Sequence, residues 1–106
     1  MMYILEYREN ILFIRIIGEL DKNNIYILDD ELDNIINKLG IYNIVFNLEQ
    51  VSNIDQIASK KLISWSNIIN EGEGVSYFCG TNGLNINNIN ITDNELSAIK
   101  VINWKS

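Results

Sequence analysis

The residues able to do chemistry are few, and the missing types narrow the function more than those present. The 106-residue sequence contains no His, which removes the usual general base and the commonest metal ligand. A Ser-His or Cys-His nucleophile pair is therefore impossible. Cys79 is the single cysteine, so neither an internal disulfide nor a thiolate metal cage can form. It lies in the apolar run "VSYFCG", where a buried and inert thiol is expected. Carboxylates are plentiful, but their spacing shows no pair held at a working distance. Lys60 and Lys61 fall in a segment with helical spacing and are expected to be solvated, without the burial that would depress a lysine pKa. The glycines of "EGEG" have acidic neighbours that would repel phosphate, and no Lys-Ser/Thr pair follows them. "GTNG", Gly80 to Gly83, reads as a tight turn after a strand, with a ligand loop as its functional alternative. These residues predict no enzyme activity, no cofactor and no metal.

The formal charge is −6, which disfavours a phosphate backbone as a partner, so nucleic-acid binding is not expected. No apolar run approaches the roughly 20 residues that span a bilayer. "MMYILEYREN" lacks the basic region, apolar stretch and cleavage site of a signal peptide. A cytoplasmic protein with no direct membrane insertion is expected. The length predicts one domain over residues 1–106. Ile and Asn are over-represented for a globular chain. The Asn residues fall mostly on turns and outer faces, and carry no functional information.

The chemistry-bearing residues must be positioned by a mixed set of elements. "YILEY", Tyr3 to Tyr7, is β-rich, and "REN" is a turn into "ILFIRII". There Leu12, Ile14 and Ile16 alternate with Ile11, Phe13, Arg15 and Ile17, which predicts a strand covered on both faces. Ile25, Leu28, Leu32, Ile35, Ile36 and Leu39 recur at helical steps, with Asn23 or Asn24 as cap and Gly40 as terminator. Asp29, Asp30, Glu31 and Asp33 then form an acidic face, read as solvated surface with an electrostatic docking surface as its alternative. "IYNIVFNL" is a third strand with Ile44, Val45 and Phe46 buried. A second helix is expected from Asp55 to Asn70, with Ala58, Leu62, Trp65 and Ile69 inward and Ile57, Lys61, Ser64 and Ile68 flanking. "VSYFCG" is a fourth strand and "INIT" a short fifth. Asp93 is the expected cap of a last helix carrying Leu96, Ile99, Val101 and Ile102. Trp104 fits either a core lid or an exposed contact. Helices between consecutive strands imply crossovers and parallel pairing after the first hairpin.

Three segments carry a family resemblance over nearly the whole chain. "ILFIRIIGELD", Ile11 to Asp21, resembles the second strand and Gly-Glu/Arg-Leu-Asp turn of the STAS domain, the fold of the bacterial anti-sigma factor antagonists. "IYNIVFNLEQVSNID", Ile41 to Asp55, is similar to the family's third strand and to the Asp that opens its next helix. "ITDNELSAIKVI" is similar to the opening of its last helix. The resemblance implies an α/β domain with a small mixed β-sheet of about five strands. The sheet is mostly parallel after an N-terminal hairpin, with three or four helices packed largely on one face. It also implies a non-enzymatic interaction domain that docks on a regulatory protein through Asp55, Gln56, Ile57, Ala58, Ser59, Lys60 and Lys61. The implied partner is a histidine-kinase-like anti-sigma factor. The oligomeric state stays open.

In the family the Asp precedes two small hydroxylated residues and a Gly, and the second hydroxyl accepts phosphate from the kinase. Here Gln56 and Ile57 follow Asp55, Ala58 replaces the Gly, and Ile57 has no hydroxyl. Ser59 lies two residues on, roughly 200° around the helix, and phosphate there would require a slipped register. A docking domain without the usual phosphorylation switch is the resulting expectation. Two alternatives come with the resemblance: a STAS-type accessory subunit of a membrane lipid transporter ATPase, and a small-molecule sensor with a pocket under the Gly80–Gly83 loop.

Overall fold

Strand β2, Ile11–Leu20, buries side chains on both of its faces, and this places it inside the sheet. Leu12, Ile14 and Ile16 enter one core cluster, while Ile11 and Phe13 enter another. The computed structural model describes residues 1–105. It contains one four-stranded sheet in the order β1-β2-β3-β4, with β1 at Met2–Arg8, β3 at Asn43–Ile54 and β4 at Val75–Cys79. β1 and β2 pair antiparallel, whereas β2–β3 and β3–β4 are parallel. The expected parallel pairing appears as Leu12↔Ile44, Phe13↔Val45 and Ile14↔Phe46.

Two helices, α1 at Ile25–Asp33 and α2 at Gln56–Glu71, cover one face. Their buried residues Leu28, Leu32, Ala58, Leu62 and Ile69 join Phe46, Leu48 and Phe78 in the larger cluster. Helix α3, Glu95–Lys105, covers the other face, where Ala98, Ile99 and Ile102 pack on Phe13, Val45 and Tyr77. The chain thus shows the expected mixed α/β architecture. Among the described residues no helix is long and apolar enough to cross a membrane.

Several local details differ from the expectation for physical reasons. β3 does not stop at Leu48 but runs to Ile54. Beyond Phe46 its buried residues are Leu48, Val51 and Ile54, a spacing of three that resembles neither helix nor strand. Register shifts against β2 resolve this: Arg15 and Ile17 face Asn47 and Gln50, and Gly18 and Glu19 face Val51 and Asn53. Each interval gives β3 one extra residue, as in a β-bulge, and the extra residues return all three apolar side chains to one face. Asn24 stands at the cap position of α1, yet its side chain makes no capping bond. Its Oδ1 instead accepts from the Asp21 N–H, while Asp21 Oδ1 accepts from the N–H groups of Asn23 and Asn24. Beyond α1 the helix widens into a π turn, Asn34–Lys38, and Gly40 follows at φ +67. The expected strand at 89–92 contracts to one parallel bridge, Ile91 to Phe78. The last helix is capped one residue later than expected: Asn94 Oδ1, not Asp93, accepts the Ser97 N–H at 2.9 Å. Trp65 is half-buried, and Ser66 sits deeper than it does. Trp104 projects from α3 at 90% exposure.

Phe46 and Phe78 stack in adjacent strands with ring centroids 4.7 Å apart, and both are fully buried. Phe46→Ala removes one ring of the pair and leaves a cavity under α2. Chemical denaturation should report a loss of about 3–5 kcal/mol.

Candidate docking site

The corner between β3 and α2 is held by one carboxylate. Ile54 ends the strand buried, and Asp55 follows in an extended conformation that points its side chain back over the first turn of α2. Asp55 Oδ1 accepts the Ala58 N–H at 2.8 Å, the bond expected of a helix N-cap. Asp55 Oδ2 accepts the Lys22 N–H, also at 2.8 Å. The Asp55 N–H donates to the Leu20 carbonyl at 3.1 Å. The "GELD" end of β2, with the turn that follows it at Lys22, and the "SNID" end of β3 are thereby tied together. The N–H groups of Ala58 and then Lys22 hold the Asp55 pKa below the usual carboxylate range.

The remaining expected residues divide by helical phase. Ala58 is fully buried and Ser59 nearly so, at 7% exposure. The Ser59 hydroxyl donates to the Asn85 carbonyl at 3.2 Å, tying the α2 start to the loop after β4. Gln56, Ile57, Lys60 and Lys61 face outward. Ile57 is 50% exposed, and Ile68, three turns further on, 51%. Ile57, Lys61, Ser64 and Ile68 form an outer stripe of α2 with an isoleucine at each end. Lys61 Nζ lies 3.8 Å from Asp29 Oδ2, an exposed pair of small energetic weight. The Trp65 indole N–H donates to Asp29 Oδ1 at 2.7 Å and sets α1 against α2.

A second polar centre lies on the opposite face. Arg15 donates through Nε and Nη2 to the two Glu95 carboxylate oxygens at 2.8 and 2.7 Å, and through Nη1 to Glu6 at 2.8 Å. Asn47 Nδ2 also donates to Glu95. One guanidinium thus joins β1, β2 and the first turn of α3, and Asn47 adds β3. The Arg15 bonds hold the Glu95 pKa low, with Asn47 acting in the same direction. The cluster borders a cleft of about 620 Å³ between the middle of β3, the end of β4 and the start of α3, also lined by Glu49, Gly80 and Asn82. Gly80 has φ +69, and a side chain there would run into the Glu49 backbone, so the cleft floor requires glycine. Burial, followed by Glu95 and Glu49, pushes the Cys79 thiol up to about 11, so little thiolate forms at neutral pH. Among the described residues no group of three or more Cys, Asp or Glu is arranged to hold a metal ion.

The sequence reading missed this cluster. Its signal was a lone Arg inside an apolar strand, which must find a carboxylate near its own face. The buried contact of Ser66 with Ser76, whose Oγ atoms are 2.7 Å apart, was also missed. Asn70 completes it, accepting the Ser76 N–H at 2.8 Å. Two isolated serines in apolar segments gave no sign of meeting.

The STAS domain family model matches residues 3–97. No curated protein matches the chain by sequence. Among solved structures, the unphosphorylated anti-sigma factor antagonist SpoIIAA aligns with TM-score 0.75 and 18% identity, covering 96% of this chain and 98% of its own. A Thermotoga maritima protein assigned as an anti-sigma factor antagonist aligns with TM-score 0.85 and 14% identity, over 95% and 94% of the two chains. RsbS from Moorella thermoacetica, in a serine-to-glutamate variant, aligns with TM-score 0.79 and 13% identity, over 97% and 96%. At these identities the likeness is one of fold.

Both carboxylates predict an acid limit to stability. A carboxyl whose folded pKa is depressed stabilises the fold above its unfolded pKa and loses that contribution as pH falls through the folded value. Denaturation midpoints should therefore drop below about pH 4, the ordinary carboxylate range. The drop should shrink in Glu95→Gln and in Asp55→Asn. At neutral pH, Glu95→Ala should cost about 1–2 kcal/mol, at the low end for charge-assisted bonds because Arg15 retains Glu6. Asp55→Ala strands two N–H groups and should lower the urea midpoint, with Asp55→Asn between it and wild type.

Proposed function

The chain belongs to the STAS domain family, and from that premise we propose that it is a non-enzymatic interaction domain that docks on a regulatory protein through the start of α2. The observation carrying this reading is the half-exposed Ile57 on the first turn. Its backbone is immobilised by the Asp55 cap, and it is followed on the same outer stripe by Lys61, Ser64 and Ile68. A β-branched side chain on an ordered backbone loses little conformational entropy when it enters a partner's pocket, and such anchors carry much of an interface's affinity. Lys60 and Lys61 give this patch a local positive charge on a chain of net charge −6, which suits a partner with an acidic rim. Structural neighbours that are anti-sigma factor antagonists support a protein partner in general, and a histidine-kinase-like anti-sigma factor is the specific partner proposed.

The reading includes the absence of the usual switch. Ile57 cannot accept phosphate, and the Ser59 hydroxyl is buried against the Asn85 carbonyl. A kinase would have to open the first turn of α2 to reach it. Docking here is then controlled by partner abundance rather than by added charge. A sensor role has its own supporting observation, the polar cleft beside Gly80 and Asn82. The transporter-subunit reading would use the same α2 surface, and the identity of the co-purifying protein separates it from the sigma-regulatory one.

Tagged protein recovered from its native cell should bring down a stoichiometric partner. Ile57→Asp should weaken that partner's binding by about 2 kcal/mol or more, the scale of an interface hot spot, with unchanged urea denaturation. Unchanged affinity in a folded Ile57→Asp variant would place the docking surface elsewhere. After incubation with a kinase partner and ATP, mass spectrometry should find no phosphate in the peptide Gln56 to Lys60. Phosphate on Ser59 would show that the switch operates despite the buried hydroxyl.

A further inference from the structure

The outer edge of β1 is built for pairing with a further strand. β1 ends in a two-residue turn whose central residues, Glu9 and Asn10, have φ of 54° and 64°, the signature of a type I′ hairpin. The flanking pair Arg8↔Ile11 is therefore a hydrogen-bonded pair. Bonding alternates along an antiparallel ladder, so Glu6↔Phe13, Ile4↔Arg15 and Met2↔Ile17 are bonded pairs too. The backbone N–H and C=O groups of Tyr3, Leu5 and Tyr7 then point away from β2, along the open edge of the sheet.

The devices that normally protect such an edge are missing. β1 contains no Pro and no Lys, and its seven pairs with β2 run without a register shift. Its two charges are occupied on their own chain: Glu6 pairs with Arg15, and Arg8 lies over the Phe13 ring. Both project on the α3 face. The side chains on the other face are Tyr3, Leu5 and Tyr7, with Leu5 38% and Tyr7 55% exposed.

We infer that β1 pairs antiparallel with β1 of a second copy of this chain, about a two-fold axis through Leu5. A two-fold axis perpendicular to the sheet keeps each face on its own side, so even-numbered residues must oppose even and odd must oppose odd. Five registers satisfy this within two residues of the strand centre, and pairing about Tyr3 leaves Leu5 and Tyr7 without a partner in β1. Pairing about Ile4 brings Ile4 against its own copy and leaves Tyr7 beyond the strand's end. Pairing about Glu6 sets two Glu6 carboxylates directly opposite, a destabilising contact. Pairing about Tyr7 brings Glu9 and Asn10 of the turn into the ladder. Only the register about Leu5 uses all three outward-facing residues: Leu5 exchanges both bonds with its copy, and Tyr3 exchanges both with Tyr7 at either end. It also closes a continuous Tyr-Leu-Tyr strip on the α1/α2 face. The joined sheet has eight strands, with β4 and the α2 that packs on it at the two outer ends. The inference stands on β1 alone and is independent of the role proposed for α2.

Analytical ultracentrifugation over a concentration series tests it. The wild-type chain should approach twice the monomer mass. Leu5→Pro removes only an outward N–H and Leu5→Lys adds a gatekeeper charge; each should stay monomeric with unchanged circular dichroism. Should either variant unfold, two further readouts decide on folded protein. In Leu5→Cys the paired Cα atoms would lie about 5.5 Å apart, within disulfide range, so mild oxidation should give a covalent dimer. Tyr3→Cys, offset along the ladder, should not. Amides of Tyr3, Leu5 and Tyr7 should gain exchange protection as concentration rises. A wild-type chain that stays monomeric at the highest concentration would overturn the inference. So would a dimer that survives in folded Leu5→Lys, or cross-linking through Tyr3→Cys but not Leu5→Cys.

Discussion

Everything in this domain hangs on the parallel pairing of β2 and β3, two strands buried on both faces. Parallel strands cannot be joined by a tight turn, so the chain must cross over, and α1 is that crossover. The same constraint acts between β3 and β4 and makes α2 the second. Right-handed crossovers in a sheet whose strand order follows the sequence put both helices on one face. The other face of Ile11, Phe13 and Val45 is then left open to water, and α3 closes it. The three helices thus follow from two apolar strands that must be covered twice.

The corner at Asp55 shows how the same scaffold can present a surface. A loop that contacts a partner is useful when it is held still, since ordering it on binding costs affinity. Asp55 makes bonds to two separate segments, the turn after β2 and the first turn of α2. The register shifts in β3 set where that Asp emerges, because each added residue displaces the strand end relative to β2. An irregular stretch of strand and a helix cap therefore act together, and the exposed Ile57 stands on the result.

Much of this was legible in the sequence, and the illegible parts have specific causes. The helical spacing from Ile25 becomes α1 and the π turn that ends at Lys38, short of the exposed Leu39, and the alternation in Ile11–Ile17 translates directly into β2. The extension of β3 through Leu48, Val51 and Ile54 does not, because bulges break the period that identifies a strand. Asp55 was readable as a cap, since capping depends on neighbours three residues away. Its bond to Lys22 was not, because that depends on how two distant segments meet. Arg15 and Glu95 are separated by 80 positions. The strand pattern suggests that Arg15 needs a partner but not which of 14 acidic residues supplies it. Position 57 was the most informative site residue for a chemical reason: a missing hydroxyl is visible in the letter itself.

The Arg15 cluster and the Asp55 corner divide the mechanical load differently. Asp55 bonds to backbone N–H groups whose positions are fixed by adjoining secondary structure, so its geometry follows from the chain path. Arg15 bonds to side chains from β1 and α3, and its bonds hold together elements that the chain path alone does not constrain. β1 contacts the rest of the domain mainly through β2, and α3 packs on β3 and β4 through side chains alone. The guanidinium, with five donors in a rigid fork, reaches both at once. It ties β1 to α3 across the face that α3 covers. A loosened α3 would uncover Phe13 and Val45 and take Glu95 away from Arg15, leaving the guanidinium with Glu6 alone. The tie between β1 and α3 and the closure of the second face therefore meet in one half-exposed ion cluster, Glu6–Arg15–Glu95.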